Sequence, residues 1–350
     1  MDRRFLVDWN YLADRFSSSL KVAMLHEDFS YFADRDIPAN LSYGESDRLV
    51  AKYDITYFLN NDLFFRSGAE YEHAKGEGTS ITNVSRDDFS AYALMHHQPL
   101  KSLLYNVSIR AGGSSAYSIP FIYSVDAKYL PHKNWSIRGA YSTNYRLPTF
   151  NDLYWEPGGN PDLKPEFSRS AELGLDYKHT FFTISGGWYV IHSEDLIQWR
   201  PVTSDFWQPQ NISEASNKGI ELMFDIQRNF GDHKLHLNAS YDYTLASDKE
   251  IDKQLIYVPK NRAGANLDYR WHSWKINYNL QYVGKVFITT SNSQSLDDYL
   301  LSDMALSRSF FMNHMDASFR VNNVFNVSYQ SVSYRPMPGR NFVFQLNFKL

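Results

Sequence analysis

The sequence predicts an all-β protein, specifically an antiparallel transmembrane β-barrel, and three observations support this prediction. Many segments alternate strictly between apolar and polar residues, as strands with one apolar and one polar face do. The mean hydropathy is low, −0.46, yet Phe, Trp and Tyr make up 16% of the 350 residues. The segments are joined by connections that alternate between short and long, as in a membrane-spanning meander.

The composition excludes several other classes. No run of 18 apolar residues occurs, so a helical membrane protein is excluded. The net charge of −4 gives no indication of a nucleic-acid partner, and the absence of Cys removes disulfide frameworks and zinc fingers. The first residues, MDRRFLVDW, lack the apolar core of a signal peptide. Because a barrel of this kind must be exported, we expect an N-terminal part to be missing.

The alternation predicts strands along the whole chain. The first strands are predicted near residues 3–12, 20–32, 48–57 and 65–71, followed by two pairs around the turns QPLK and LPHKN, of which the last strand is 135–145. Later strands are predicted at 170–177, 217–227, 235–244, 274–282, 315–322 and 342–350. We count about seventeen strands, of about 8–12 residues where the alternation is clear, the length that a tilted strand needs to cross a bilayer.

Eight connections are predicted to be short and eight longer, and the longer ones include residues 33–46, 74–88 and 193–211. Bacterial single-chain barrels have an even number of strands. An odd count therefore suggests that upstream strands are absent. We accordingly treat residues 1–350 as one N-terminally truncated barrel domain.

The segment 146–166, RLPTFNDLYWEPGGNPDLKPE, lies between two clearly alternating strands. It carries Pro148, Pro157, Pro161 and Pro165, and proline supplies no backbone N–H. We therefore predict a long loop through which neither a helix nor a paired strand runs.

Two segments resemble hallmark segments of TonB-dependent outer-membrane receptors. The first matches R-x-P-x-x-x-x-L-Y followed by G-N-P-x-L-x-P-E, and the second matches the N-L-F-N-x-x-Y and P-x-P-G-R-x-F wording near the end of the family's barrel. The first set is Arg146, Pro148, Leu153, Tyr154, Gly159, Asn160, Pro161, Leu163, Pro165 and Glu166. The second set is Asn323, Phe325, Asn326, Tyr329, Pro336, Pro338, Gly339, Arg340 and Phe342.

This resemblance implies a 22-stranded barrel filled by an N-terminal plug, of which this chain would hold an incomplete portion without the plug. It also implies an outer-membrane receptor of a Gram-negative bacterium that takes up a large, scarce nutrient with energy from the TonB complex, which acts through the plug. The wording TFNDLYW and PFIYSVDAKY is most similar to cobalamin-receptor-like members. We therefore expect cobalamin as the small-molecule ligand, with an iron–siderophore complex second, outer-membrane lipid as surroundings and no cofactor.

Five residues in the predicted outer loops are candidates for ligand contact: Arg146, Trp155, Trp207, Tyr329 and Tyr334. The aromatic side chains could stack on a flat ligand, or they could belong to an aromatic girdle at the membrane interface. Arg146 could contact the ligand, or it could pair a carboxylate inside the barrel and so hold the loop.

The histidines make haem a minority option as ligand, because only His73 and His192 lie near predicted outer loops. His96, His97, His132, His179, His233, His272 and His314 all lie at short turns, and a site at His96 and His97 is disfavoured. No catalytic motif is found, so we predict that the protein is not an enzyme. Two alternatives stay open: a passive porin or structural barrel, and an outer-membrane hydrolase such as a phospholipase.

Overall fold

The computed structural model describes residues 2–32, 34, 36–37, 41–203, 206–311 and 314–348. Part of the predicted loop 33–46 and the last two residues of the predicted strand 342–350 lie outside these ranges. Strands dominate the described part of the chain, and eighteen of them belong to one sheet. Seventeen of the described strands contain eight residues or more, the number that the alternation predicts.

The strands, in chain order, have the following bounds: β1 Arg3–Ala13, β2 Phe16–Phe32, β3 Leu41–Phe58, β4 Leu63–Gly78, β5 Ile81–Leu100, β6 Leu103–Ser114, β7 Ile122–His132, β8 Trp135–Arg146, β9 Glu166–Lys178, β10 Phe182–Pro201, β11 Trp207–Phe230, β12 His233–Asp248, β13 Lys253–Gln254, β14 Asn261–Trp271, β15 Trp274–Val283, β16 Val286–Phe287, β17 Ser295–Leu296, β18 Tyr299–Phe310, β19 Met315–Asn322, β20 Gln330–Val332, β21 Arg335–Pro336 and β22 Asn341–Phe348. The helix α1 covers Phe150–Tyr154.

The chain divides into two compact units. The first unit comprises Met1–Tyr129, Gly139–Ala171 and Ile191–Ala215. In it, β1 to β7 form an antiparallel meander in which each strand pairs with the next. The registers shift only beside the turns, after Gly76 and after His97.

The second unit comprises Leu130–Arg138, Glu172–Val190 and Ser216–Leu350. Its long strands β12, β14, β15, β18, β19 and β22 pair antiparallel in that order. The short pairs β16–β17 and β20–β21 lie in the connections between them.

The registers keep apolar residues beside apolar residues. Val7, Val22, Ala51, Tyr71 and Phe89 are successive cross-strand partners on β1 to β5. Because side chains alternate along a strand, the next row holds the residues of the opposite face. That row is polar: Asp8, Lys21, Lys52, Glu70 and Ser90.

Almost no dry core exists in the described residues. Nine apolar residues are buried, whereas large apolar side chains stay exposed along nearly every strand. Phe5, Trp9, Met24 and Phe89 are each more than half exposed. A soluble sandwich of two stacked sheets would bury such residues. The pattern is the one expected for strands that face lipid on one side and water on the other.

Three connections predicted to be long loops are wrong in extent. Residues 41–46 of the predicted loop 33–46 belong to β3. The predicted loop 74–88 is mostly a hairpin, with its turn at Thr79 and Ser80. In the predicted connection 193–211, β10 continues to Pro201 and β11 begins at Trp207. Strands such as β5, with 20 residues, and β11, with 24, are therefore longer than predicted. The alternation disappears in residues 74–88 and 193–211, which contact the loop 146–166, but the backbone hydrogen bonds between the strands still form.

The loop 146–166 also differs from the prediction, because it contains α1 between Pro148 and Pro157. Proline is tolerated just before a helix begins and just after it ends. Pro148 and Pro157 are therefore compatible with a short helix between them. Among the described residues, no helix is long and apolar enough to span a membrane.

The two faces predict opposite responses to a charged substitution. Leu237 lies opposite Leu267 on the apolar face of β12, and its neighbour Asn238 lies on the polar face. We expect Leu237→Arg to lower the free energy of unfolding in phospholipid vesicles by about 2–4 kcal/mol, the cost of a cation near the bilayer centre.

Asn238→Arg is the matched control and should change that free energy by less than about 0.5 kcal/mol. Urea titration followed by Trp fluorescence measures both values. Equal losses in the two variants would contradict the assignment of faces.

Candidate functional site: the central loop and its anchors

The loop 146–166 is tied to β10 through one carboxylate. Arg146 ends β8 and Glu166 begins β9, and the Arg146 guanidinium donates a hydrogen bond to Glu166 Oε1. The backbone N–H of Ile197 donates to the same oxygen at 2.7 Å. Glu166 therefore joins the two ends of the loop and fixes them against β10.

A capping box starts α1. The Thr149 side chain accepts a hydrogen bond from the backbone N–H of Asp152, and Asp152 Oδ2 accepts one from the backbone N–H of Thr149. This reciprocal pair satisfies N–H groups that the first turn of a helix leaves free. The sequence signal is T-x-x-D at 149–152, which the prediction of a loop overlooked.

Asp152 is the most connected group of the site. It is 6% exposed, and its Oδ1 accepts a hydrogen bond from the Trp199 indole N–H at 2.9 Å. Arg146 Nη1 lies 3.6 Å from Oδ2. Burial by itself raises the pKa of Asp152, but the hydrogen bonds from Thr149 and Trp199 and the charge of Arg146 outweigh it and lower the pKa below its usual range.

The GNP part of the loop makes close backbone contacts. A Cβ on Gly159 would lie 2.7 Å from Leu153 O and from Trp155 N, so a side chain at this position would displace the end of α1. Asn160 Nδ2 donates to Pro209 O on β11 at 3.0 Å. Gly159 and Asn160, which match the family-like segment, therefore hold the loop against β11.

Asn211 brackets the loop from β11. Its Oδ1 accepts from the Lys164 N–H at 2.9 Å, and its Nδ2 donates to Lys164 O at 3.0 Å and to Asp195 O. The Asn211 side chain thus supplies hydrogen bonds to the backbone of the loop and to the backbone of β10. In the same unit, Leu153, Leu163 and Ile197 form a small buried cluster.

Two of the predicted aromatic contacts belong to this unit. Trp155 caps the end of α1, is 39% exposed and packs edge-to-face on Trp199, with ring centroids 5.8 Å apart. Trp207 is the first residue of β11, so its prediction as a residue within a long loop is wrong. The structure places Arg146 beside two carboxylates, the pairing that one of its two interpretations requires.

The other two predicted contacts lie in the second unit. Tyr329 precedes β20 and packs on Tyr299 at 4.6 Å, whereas Tyr334 lies in the turn between β20 and β21 and is 92% exposed. Tyr334 has a φ of 61°, a conformation that turns allow. Ligand contact by the five residues stays a prediction.

His96 and His97 do not form a joint site. They are consecutive on β5, so their side chains face opposite sides of the strand. His96 Nδ1 bonds Asn106 Oδ1, and His97 Nδ1 bonds the Tyr105 hydroxyl, each at 2.7 Å. In the described residues, the group of three side chains that could hold a metal ion is instead His26, Glu45 and Asp47, which sequence analysis did not single out.

Comparison with known proteins settles the family. The family model described as "TonB dependent receptor-like, beta-barrel" matches residues 2–324. The chain belongs to the TonB-dependent receptor β-barrel family. Barrels of this family lie in the outer membrane of Gram-negative bacteria, and this chain belongs to such a barrel.

Relatives of this TonB-dependent receptor barrel include the vitamin B12 transporter BtuB of Photobacterium profundum, 29% identical over 325 residues, which are 91% of this chain and 52% of that protein. BtuB of Vibrio vulnificus strain YJ016 is 28% identical over 82% of this chain and 47% of its own length. The chain spans about half the length of the relatives it matches.

Solved structures share the fold. The ferric enterobactin receptor PfeA of Pseudomonas aeruginosa has a TM-score of 0.81 at 16% identity, covering 99% of this chain and 61% of that one. The siderophore receptor PirA of Acinetobacter baumannii has a TM-score of 0.79 at 15% identity, covering 99% and 62%. These values establish the barrel fold of the family for this chain.

The depressed pKa of Asp152 gives a pH-dependent prediction. Because the folded-state pKa lies below the unfolded value of about 3.9, the ionised carboxylate stabilises the fold above that value. The stabilisation is lost as the pH falls through the lower folded pKa. We expect Asp152→Asn to lower the free energy of unfolding at pH 7 by about 1.5–3 kcal/mol, and the deficit to shrink at a pH of about 3.

Asp162→Asn, in an exposed position of the same loop, is the control and should be neutral at both pH values. Urea midpoints in vesicles at neutral pH and in acid provide the measurement. A deficit that stays constant with pH would show that the charge of Asp152 is not what stabilises the loop.

Proposed function

We propose that the whole receptor takes up cobalamin across the outer membrane with energy supplied through TonB. The observation that carries this proposal is the similarity to vitamin B12 transporters, which extends over 91% of this chain. A ligand of this size exceeds the opening of a passive porin and is scarce outside the cell. Capture by a receptor followed by energised release therefore suits it better than diffusion.

In this proposal the exposed loop aromatics supply part of the ligand contact. Trp155 is held by Trp199 and by the end of α1, so its ring is positioned before any ligand arrives. Tyr334 extends from a two-residue turn and is almost fully exposed. A preorganised aromatic ring stacks on a flat macrocycle at little entropic cost. Arg146, in contrast, is engaged by carboxylates, and we assign it the role of holding the loop.

An iron–siderophore complex is the second candidate ligand. The iron-regulated outer membrane virulence protein of Vibrio cholerae is 28% identical to this chain over 199 residues, 47% of the chain. That similarity covers about half as much of the chain as the similarity to the vitamin B12 transporters, so we place cobalamin first.

The porin and hydrolase alternatives lose support from the family. Members of this family are energised transporters, which are neither open channels nor enzymes. We therefore propose no catalytic activity, and we propose the TonB complex as partner through a plug domain.

Uptake by cells tests the proposal. The full-length receptor that carries this barrel is expressed in a host deleted for its own cobalamin receptor, and uptake of radiolabelled cyanocobalamin is measured. We expect uptake that is lost in a tonB-deleted host while binding at the cell surface persists. Uptake of a ferric siderophore without uptake of cobalamin would show that the siderophore complex is the ligand. Ion conductance without uptake of cobalamin or siderophore would favour a porin.

Variants of the loop aromatics test the contacts. We expect Trp155→Ala and Tyr334→Ala each to weaken cyanocobalamin binding about 2- to 10-fold, the loss of one stacking contact. Trp271→Ala removes an aromatic side chain that is about as exposed as that of Trp155 and lies next to the short turn after β14, and it should leave affinity unchanged. Equal affinity in all three variants would assign the aromatics to the membrane girdle.

A further inference from the structure

We propose that β2 and β3 carry a binding site for a divalent transition-metal ion, with Zn²⁺ as the preferred ion. The ligands are His26, Glu45 and Asp47, and Asp28 stands beside them. This inference rests on the geometry of the two strands and is independent of the nutrient that the receptor transports.

Strand pairing brings the ligands together. His26 lies directly opposite Asp47, and Asp28 lies directly opposite Glu45. Residues two apart on a strand share a face, so these four side chains form a two-by-two grid on one surface of the sheet. It is the surface that carries Met24 and Leu49, one row further along the strands.

The distances suit a small cation. His26 Nδ1 lies 2.8 Å from Asp47 Oδ1 and 3.8 Å from Glu45 Oε1. One ligand atom from each of the three residues falls within 4.8 Å of the others. Ligands at about 2.0–2.2 Å from a tetrahedral Zn²⁺ are themselves about 3.3–3.6 Å apart. Small side-chain rotations therefore reach the required positions, and each side chain is partly exposed to an arriving ion.

Charge favours a cation at this place. Glu45 lies between Asp28 on β2 and Glu77 on β4, so three carboxylates follow one another across the sheet. Like charges on directly opposite residues are destabilising. Lys75 lies opposite Asp47, but its Nζ is 3.2 Å from Glu77. A divalent ion among these carboxylates would relieve the repulsion that remains.

The imidazole of His26 determines which class of metal ion the site would prefer. Zn²⁺ binds imidazole nitrogen and carboxylate oxygen together, whereas Ca²⁺ takes six to eight oxygen ligands and Mg²⁺ retains several waters. A set of one histidine and two nearby carboxylates therefore selects Zn²⁺ over either. The remaining coordination position would be taken by water, because Asp28 lies at His26 Nε2, whereas Glu45 and Asp47 lie at His26 Nδ1.

The same face offers a built-in comparison. His73 Nδ1 also lies 2.8 Å from an aspartate oxygen, Asp87 Oδ1. That oxygen already accepts a hydrogen bond from the Tyr71 hydroxyl at 2.7 Å. In the described part of the chain, His73 and Asp87 belong to no group of three possible ligands. The His73–Asp87 pair therefore provides a control for a histidine and an aspartate without the third ligand of the proposed site.

Zinc titration of the full chain, folded in detergent and freed of metal, tests the site. Isothermal titration calorimetry with ZnCl₂ should show one saturable site in the wild type. We expect His26→Gln and Asp47→Asn to weaken it at least about tenfold, and His73→Gln to leave it unchanged. A large excess of CaCl₂ should not displace the ion.

Absence of saturable binding in the wild type, an unchanged affinity in His26→Gln, or an equal loss in His73→Gln would overturn the proposal. Displacement by Ca²⁺ would also overturn it, since that would indicate carboxylates acting without the imidazole. Glu45→Gln serves as a second ligand variant if His26→Gln fails to fold. X-ray absorption at the zinc edge should show a nitrogen ligand that Asp47→Asn retains and His26→Gln lacks.

Discussion

The structure depends on the pairing of backbone groups between adjacent antiparallel strands. In lipid no water is present to satisfy a free N–H or C=O, so each strand must find its partner along its whole membrane-spanning length. The registers of β1 to β6 meet this demand almost without interruption. Side-chain chemistry then follows from register, because apolar rows and polar rows alternate across the membrane-spanning strands.

This dependence explains how much of the fold is predictable from the sequence. Alternation is a local property, and it is sufficient to indicate seventeen long strands and the two faces of each. It fails where the two faces of a strand are not one apolar and one polar. The tip of the β4–β5 hairpin is polar on either side, and the facing ends of β10 and β11 pack against the loop 146–166 and bury Ile197 and Ile212 there.

The candidate site is only partly predictable for a different reason. The family-like wording locates the loop correctly, with Arg146 and Glu166 as its flanks. The contact between Asp152 and Trp199 could not be predicted from the sequence, because the two residues are 47 positions apart. Its geometry depends on where β10 passes the loop. The one local clue, the spacing between Thr149 and Asp152, identifies a helix start but not the tryptophan that completes the arrangement.

The pairing between β2 and β3 runs through seventeen consecutive residues without a bulge. Inserting a single residue into either strand would exchange the two faces for everything beyond it. The fold therefore tolerates insertions at its turns, or matched two-residue insertions in neighbouring strands, because only these preserve the two faces. Differences in length between homologues should accordingly collect at the hairpin tips, where the registers of β4–β5 and β5–β6 already slip.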